Sequence, residues 1–82
     1  MKITIKLFSS LMEYLPPDAS GNAIELIENS TLTPTDIIGG LKIPSAEVRT
    51  MMLNGTFLPE QERQKPLQDG DVLSVWPAIQ GL

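Results

Sequence analysis

Residues 66–82 read PLQDGDVLSVWPAIQGL, and the interpretation of this stretch decides the fold. Pro66-Leu67-Gln68-Asp69-Gly70-Asp71 has the composition of a tight turn, in which glycine supplies positive φ and the short acids hydrogen-bond locally. Val72 to Trp76 reads as the last strand, rich in residues that suit a pleated surface. Pro77 stops it, because proline has no N–H to give to a ladder. The chain therefore divides into a domain over 1–77 and a flexible C-terminal tail over 78–82.

Upstream of the turn, Glu60-Gln61-Glu62-Arg63-Gln64-Lys65 is a solvated loop. Val48 to Leu53 is a nearly continuous apolar run interrupted by Arg49 and Thr50, the pattern of a central strand with both faces partly covered. Asn54-Gly55 supplies a two-residue hairpin turn of the kind in which both central residues need positive φ. Thr56-Phe57-Leu58 returns as a short strand ended by Pro59. Further back, Thr33 caps a helix with Pro34 at its first position and Asp36 completing a short capping box. Ile37, Ile38 and Leu41 fall on one side of that helix, and Gly39-Gly40 weakens its interior by roughly 1 kcal/mol per glycine relative to alanine. Ser45 is expected to cap a further single turn.

The N-terminal stretch alternates. Ile3, Ile5 and Leu7 share one face while Lys2, Thr4 and Lys6 share the other, the period-2 pattern of a half-buried strand. One or two helical turns carry Leu11, Tyr14 and Leu15 before Pro16-Pro17 blocks them, and Ala23 to Glu28 forms a second strand in a loose hairpin with the first. Two strands, a helix, two strands joined by a turn, a loop and a final strand describe an α+β domain of the β-grasp (ubiquitin-like) type, with a mixed sheet of about four to five strands and the helix packed on one face. Element order alone leaves other topologies open.

Composition narrows the chemistry. Six Lys and Arg against ten Asp and Glu give a net charge of −4, which argues against a nucleic-acid partner, since phosphates need a basic footprint. The absence of Cys and His removes the thiol nucleophile, the imidazole base and the usual zinc ligands, so no bound cofactor or metal is expected. Asp69 and Asp71 across a tight turn fall far short of the roughly six to eight oxygens that calcium takes. No run approaches the ~20 apolar residues of a spanning helix, and MKITIKLF alternates where a signal peptide has an apolar block. No membrane association and a cytoplasmic location are the expectation. Met51 and Met52 read as core filler.

Taken together, MKITIKLF, the cap at Thr33, LNG at 53–55, PLQDGD at 66–71 and VLSVWPAIQGL to the end resemble the ubiquitin-like sulfur carriers of the MoaD/ThiS family, most closely the molybdopterin synthase small subunit. The resemblance covers essentially the whole chain. Its sharpest parts are the Asp-Gly-Asp turn and an ending of the form aromatic-Pro-Pro-aliphatic-x-Gly-Gly, against which Trp76 to Leu82 aligns without a gap. Ala78 stands for the second proline and Leu82 for the final glycine.

The resemblance implies a carrier whose terminal carboxylate, borne by Gly81 and Leu82, is adenylated by an ATP-using MoeB/ThiF-like activating enzyme and converted to a thiocarboxylate. Trp76, Pro77, Ile79 and Gln80 would be the partner-binding residues. Sulfur would then pass to a pterin precursor held by a larger MoaE-like synthase subunit, which contributes the catalytic residues in molybdenum or tungsten cofactor biosynthesis. ATP belongs to the activating partner. A glycine near the end suits passage through narrow channels, since it has no Cβ to collide, whereas Leu82 crowds the carboxylate. Three explanations of Leu82 stand open: an altered end, removal by processing, or a domain that keeps the fold without the carrier chemistry. The alternatives from other classes are a noncatalytic ubiquitin-like binding module, for which Trp76 covers the core edge and Pro77 only ends the strand, and a carrier serving thiamine or another metabolite.

Overall fold

The computed structural model describes residues 1–78. Five strands form one mixed sheet: β1 (Lys2–Leu7), β2 (Ala23–Ile27), β3 (Val48–Leu53), β4 (Thr56–Phe57) and β5 (Val72–Pro77), with α1 (Pro34–Gly40) between β2 and β3. Their order across the sheet is β2-β1-β5-β3-β4. β1 pairs antiparallel with β2 and parallel with β5, while β5 pairs antiparallel with β3. The expected α+β, β-grasp architecture is the observed one. The central strand is β5, however; β3 lies one place further out, between β5 and the two-residue β4.

Alternation along the strands sets the core. Ile3, Ile5 and Leu7 of β1, Ile24 of β2, Met51 of β3, and Leu73 and Val75 of β5 are buried on one face together with Ile37 and Ile38 of α1. Leu11, Ile43, Leu58 and Leu67 from the connections close the same cluster. Full burial of each such side chain is worth roughly 1.5–3 kcal/mol. Met51 is therefore core, whereas Met52 is half-buried on the opposite face.

The turn chemistry holds at Asn54-Gly55, where φ is 53° and 83°, as the two-residue connection between β3 and β4 requires. Asn54 does more than turn the chain. Its Oδ1 accepts from the Val72 N–H at 2.8 Å and its Nδ2 donates to Asp71 Oδ1 at 3.0 Å. Asp71 Oδ2 accepts from the Gln68 N–H at 2.8 Å, and Asp69 Oδ1 accepts from the Lys2 N–H at 2.7 Å. Gly70, at φ 89°, makes the bend between these two acids. The Asp-Gly-Asp turn is thus a knot tying the start of β5 to β1 and to the β3–β4 hairpin.

The capping box of α1 is present in full, with Thr33 Oγ1 accepting from the Asp36 N–H at 3.1 Å and Asp36 Oδ2 accepting from the Thr33 N–H at 3.0 Å. The helix stops at Gly40, so the two glycines fall at its end, and Leu41 is the half-buried residue that follows. Lys42 takes a left-handed φ of 61°. Its N–H donates to the Gly39 carbonyl while that of Ile43 donates to Ile38, the paired bonds of a Schellman ending. Ser45 opens a 3-10 turn over Ser45–Glu47 but does not cap it through its side chain, because Pro44 occupies the cap position. The loop after Pro59 contains a further 3-10 turn at Glu60–Glu62, and the segment after β1 is a 3-10 turn over Ser9–Tyr14.

Two outcomes follow from these local geometries. Lys42→Gly removes a left-handed cost of roughly 1–2 kcal/mol against a larger entropy loss for glycine, so it should raise the unfolding free energy by about 0.5–1 kcal/mol in urea titration. The Tyr14 hydroxyl donates to Glu47 Oε2 at 2.9 Å. That bond, followed by partial burial and the charges of Glu47 and Glu13, raises the phenol above its ordinary 10.0. The associated stability is present below pH 10 and is lost as pH rises through the raised folded value. Glu47→Ala should return the absorbance titration of this sole tyrosine toward 10.0.

Candidate functional site

The sequence points to the C-terminal end of β5, and the structure shows how that end is held. β1 and β5 run parallel with Leu7 opposite Val75, so the residues just beyond, Phe8 and Trp76, come level with each other. Their rings stack with centroids 4.3 Å apart and planes 9° from parallel. The Phe8 N–H donates to the Val75 carbonyl at 3.2 Å, extending the ladder to this point. On the other side of β5, Trp76 pairs with Thr50 and Pro77 with Val48. The last residues of the strand are clamped from both flanks.

Trp76 and Pro77 are half-buried and Ala78 is exposed. Alternation puts Thr50, Met52, Ser74 and Trp76 on the sheet face away from α1, all of them half-buried. The register sets Phe57 opposite Met52, and Phe57 is 61% exposed. This face therefore carries an apolar strip that leads toward the end of β5. Trp76 covers the sheet end against Phe8 and is half-buried on the face away from α1.

Of the expected site residues, Trp76 and Pro77 are brought together at the sheet end, while Ile79, Gln80, Gly81 and Leu82 lie outside the described residues. Phe8 was not expected in the site. Its signal was the alternation of MKITIKLF, which places Phe8 on the outer face with Lys2, Thr4 and Lys6, but the parallel pairing that sets it against Trp76 has no local sequence signature.

Among the described residues no group of three or more acids could hold a metal ion. Asp71 has both carboxylate oxygens engaged by the Asn54 side chain and the Gln68 N–H, and Asp69 Oδ1 accepts from the Lys2 N–H, which accounts for them as structural groups. No described helix is long and apolar enough to cross a membrane.

A single short helix laid across a mixed sheet, with the final strand inserted at the centre, defines a ubiquitin-like β-grasp fold. The knot at one end of β5 and the aromatic stack at the other leave little freedom in how the chain leaves the sheet. The chain belongs to the Mut7-C ubiquitin family, whose model matches residues 1–82. No curated protein matches it in sequence.

Solved structures share its fold. SAMP1 from Haloferax volcanii is 18% identical with a TM-score of 0.68, covering 100% of both chains. A Pyrococcus furiosus protein, provisionally identified as molybdopterin converting factor subunit 1, is 18% identical with a TM-score of 0.66, over 95% of this chain and 98% of that one. A chain from the complex of subunits 1 and 2 of molybdopterin-converting factor from Helicobacter pylori 26695 is 19% identical with a TM-score of 0.59, over 100% of both. At such identities the likeness is one of fold.

The stack gives a direct test of the clamp. Phe8→Ala should cost about 1–2 kcal/mol through the lost aromatic pair and its burial. It should also shift the fluorescence of Trp76, the sole tryptophan, toward the red as the ring gains water. An unchanged emission spectrum would show that the stack does not persist in solution.

Proposed function

We propose that the chain is a sulfur carrier whose terminal carboxylate is charged and discharged by partner enzymes. The observation that supports this most is the setting of β5: a strand locked at the centre of the sheet, clamped at Trp76 and Pro77, whose chain continues beyond the sheet from a fixed point. The residues supply no thiol or imidazole, so the reactive group is the main-chain carboxylate and the protein's work is to present it.

In the proposed cycle a carboxylate oxygen attacks the α-phosphate of ATP in an adenylating MoeB/ThiF-like enzyme and pyrophosphate leaves. A hydrosulfide-level sulfur donor then attacks the acyl carbon and displaces AMP, leaving a thiocarboxylate. Gly81 leaves room around the acyl group, while Leu82 slows both attacks by crowding. The fold shared with a subunit of the Helicobacter pylori converting-factor complex favours delivery of sulfur to a pterin precursor on a larger MoaE-like subunit. Trp76 and Pro77 would seat against that partner, with Ile79 and Gln80 following into its channel, and the cycle would run in the cytoplasm.

A noncatalytic binding module is the second reading. It is favoured by the apolar strip of Met52, Trp76 and Phe57 on the open face.

Intact mass separates the two. With an adenylating enzyme, ATP and sulfide, replacing one carboxylate oxygen by sulfur adds about 16 Da, and Leu82→Gly should acquire it faster. A shift in Leu82→Gly but none in the unaltered chain assigns the chain to the binding module. In that case deleting Gln80, Gly81 and Leu82 should leave partner binding intact.

A further inference from the structure

Beside the end of β5, but on different residues, a groove of about 540 Å³ is bordered by Thr35, Val48, Arg49, Phe57, Glu60 and Arg63. Arg49 and Arg63 are the chain's two arginines. In a protein with ten carboxylates, ionic partners for both would be the ordinary outcome. Among the described residues, however, the ion pairs are Lys2 with Glu25 and Lys65 with Glu62, and neither arginine meets a carboxylate.

Each arginine is also placed by a specific feature. The register of β3 against β5 shifts between Val48 and Thr50. Such an irregularity re-aims the side chain of the extra residue, here Arg49. Arg63 is held through its backbone, since its carbonyl accepts from both the N–H and the hydroxyl of Thr35 at 3.1 Å. Its Nη2 donates to the Arg49 carbonyl at 3.2 Å, which brings the two residues together. Its Nε is shielded from solvent and meets no acceptor among the described residues. A buried donor without a partner is uncommon enough to need an explanation.

We infer that this groove binds a carboxylate-bearing peptide segment of a partner protein, with an acidic side chain taken between Arg49 and Arg63 and an adjacent apolar side chain against Phe57 and Val48. The planar guanidinium fork matches a carboxylate in two parallel bonds. The aromatic wall, 61% exposed at Phe57, suits an aliphatic neighbour. Glu60 on the rim and the net charge of −4 disfavour a polyphosphate, which brings more negative charge than two arginines offset. Because Val48 pairs with Pro77, an acidic segment seated here lies beside the exit of β5. The inference concerns binding alone and stands whether or not the chain carries sulfur.

The test is an NMR titration of the whole chain with N-acetyl-Leu-Glu-Leu-Glu-amide, following the Arg63 Nε–H and the amides of Arg49 and Phe57. These signals should shift saturably, and raising the salt from low to physiological strength should weaken binding. Arg49→Gln should raise Kd about tenfold, and Arg63→Lys, which keeps charge but loses the fork, should raise it by a similar factor. Arg49 is exposed, so Arg49→Gln should leave the Trp76 emission, and hence the fold, unchanged. Equal affinity for the Leu-Gln-Leu-Gln peptide, equal affinity of Arg49→Gln, or saturation of the same signals by inorganic phosphate in preference to the peptide would overturn the assignment.

Discussion

The whole molecule hangs on the pairing of β5 with two strands that do not pair with each other. β1 arrives from the beginning of the chain and β3 from its middle, and only β5 joins the β1–β2 pair to the β3–β4 pair. Leu73 and Val75, both fully buried, carry the core across this seam. Antiparallel pairing on one side and parallel pairing on the other leave the strand no register freedom, because a slip by one residue would turn both side chains out to solvent. Asn54 and Asp71 fix where the strand starts, and the Phe8–Trp76 stack fixes where it ends. The helix, by comparison, is a short cover: its seven residues could not persist alone in water, and it is held by Ile37 and Ile38 against the sheet.

Much of this was legible in the sequence where the signal was local. The alternation of Ile3, Ile5 and Leu7, the Asn54-Gly55 turn, the Thr33–Asp36 capping box and the Asp69-Gly70-Asp71 bend each depend on residues a few positions apart, and each stands in the structure as read. What escaped depends on distance. The parallel contact of Thr4 with Val72 joins residues from opposite ends of the domain, so the sequence showed β3 as an interior strand but not that β5 holds the middle of the sheet. Ser45 looked like a cap because its residue type fits, but Pro44 before it governs the turn. Lys42 in a left-handed conformation violates local preference, and the burial of Ile43 beside Ile38 outweighs the violation.

The candidate site divides along the same line. Trp76-Pro77 could be read as a strand ending in an aromatic and a breaker. The partner of Trp76, Phe8, could not, and neither could the meeting of Arg49 with Arg63, which needs the β3 irregularity and the Thr35 contacts to bring strand and loop together. Residues 79–82 lie outside the described structure, and the chemistry assigned to them rests on the carrier proposal. Among the described residues, stability resides in the sheet and the two fastenings of β5, the Asn54–Asp71 contacts at its start and the Phe8–Trp76 stack at its end.

The position of β5 also governs when the protein can exist at all. On the ribosome, β1 and β2 emerge early and can form their hairpin, yet β1 must wait with one edge unpaired until residues 72–77 leave the exit tunnel. Until β5 emerges the nascent chain therefore displays an open strand edge and an uncovered apolar face, the two features that invite chaperones and misassembly. The native sheet can close only once β5 is available to join its two halves. Any truncated product lacking β5 leaves Ile3, Ile5 and Leu7 without Leu73 and Val75 to complete their core.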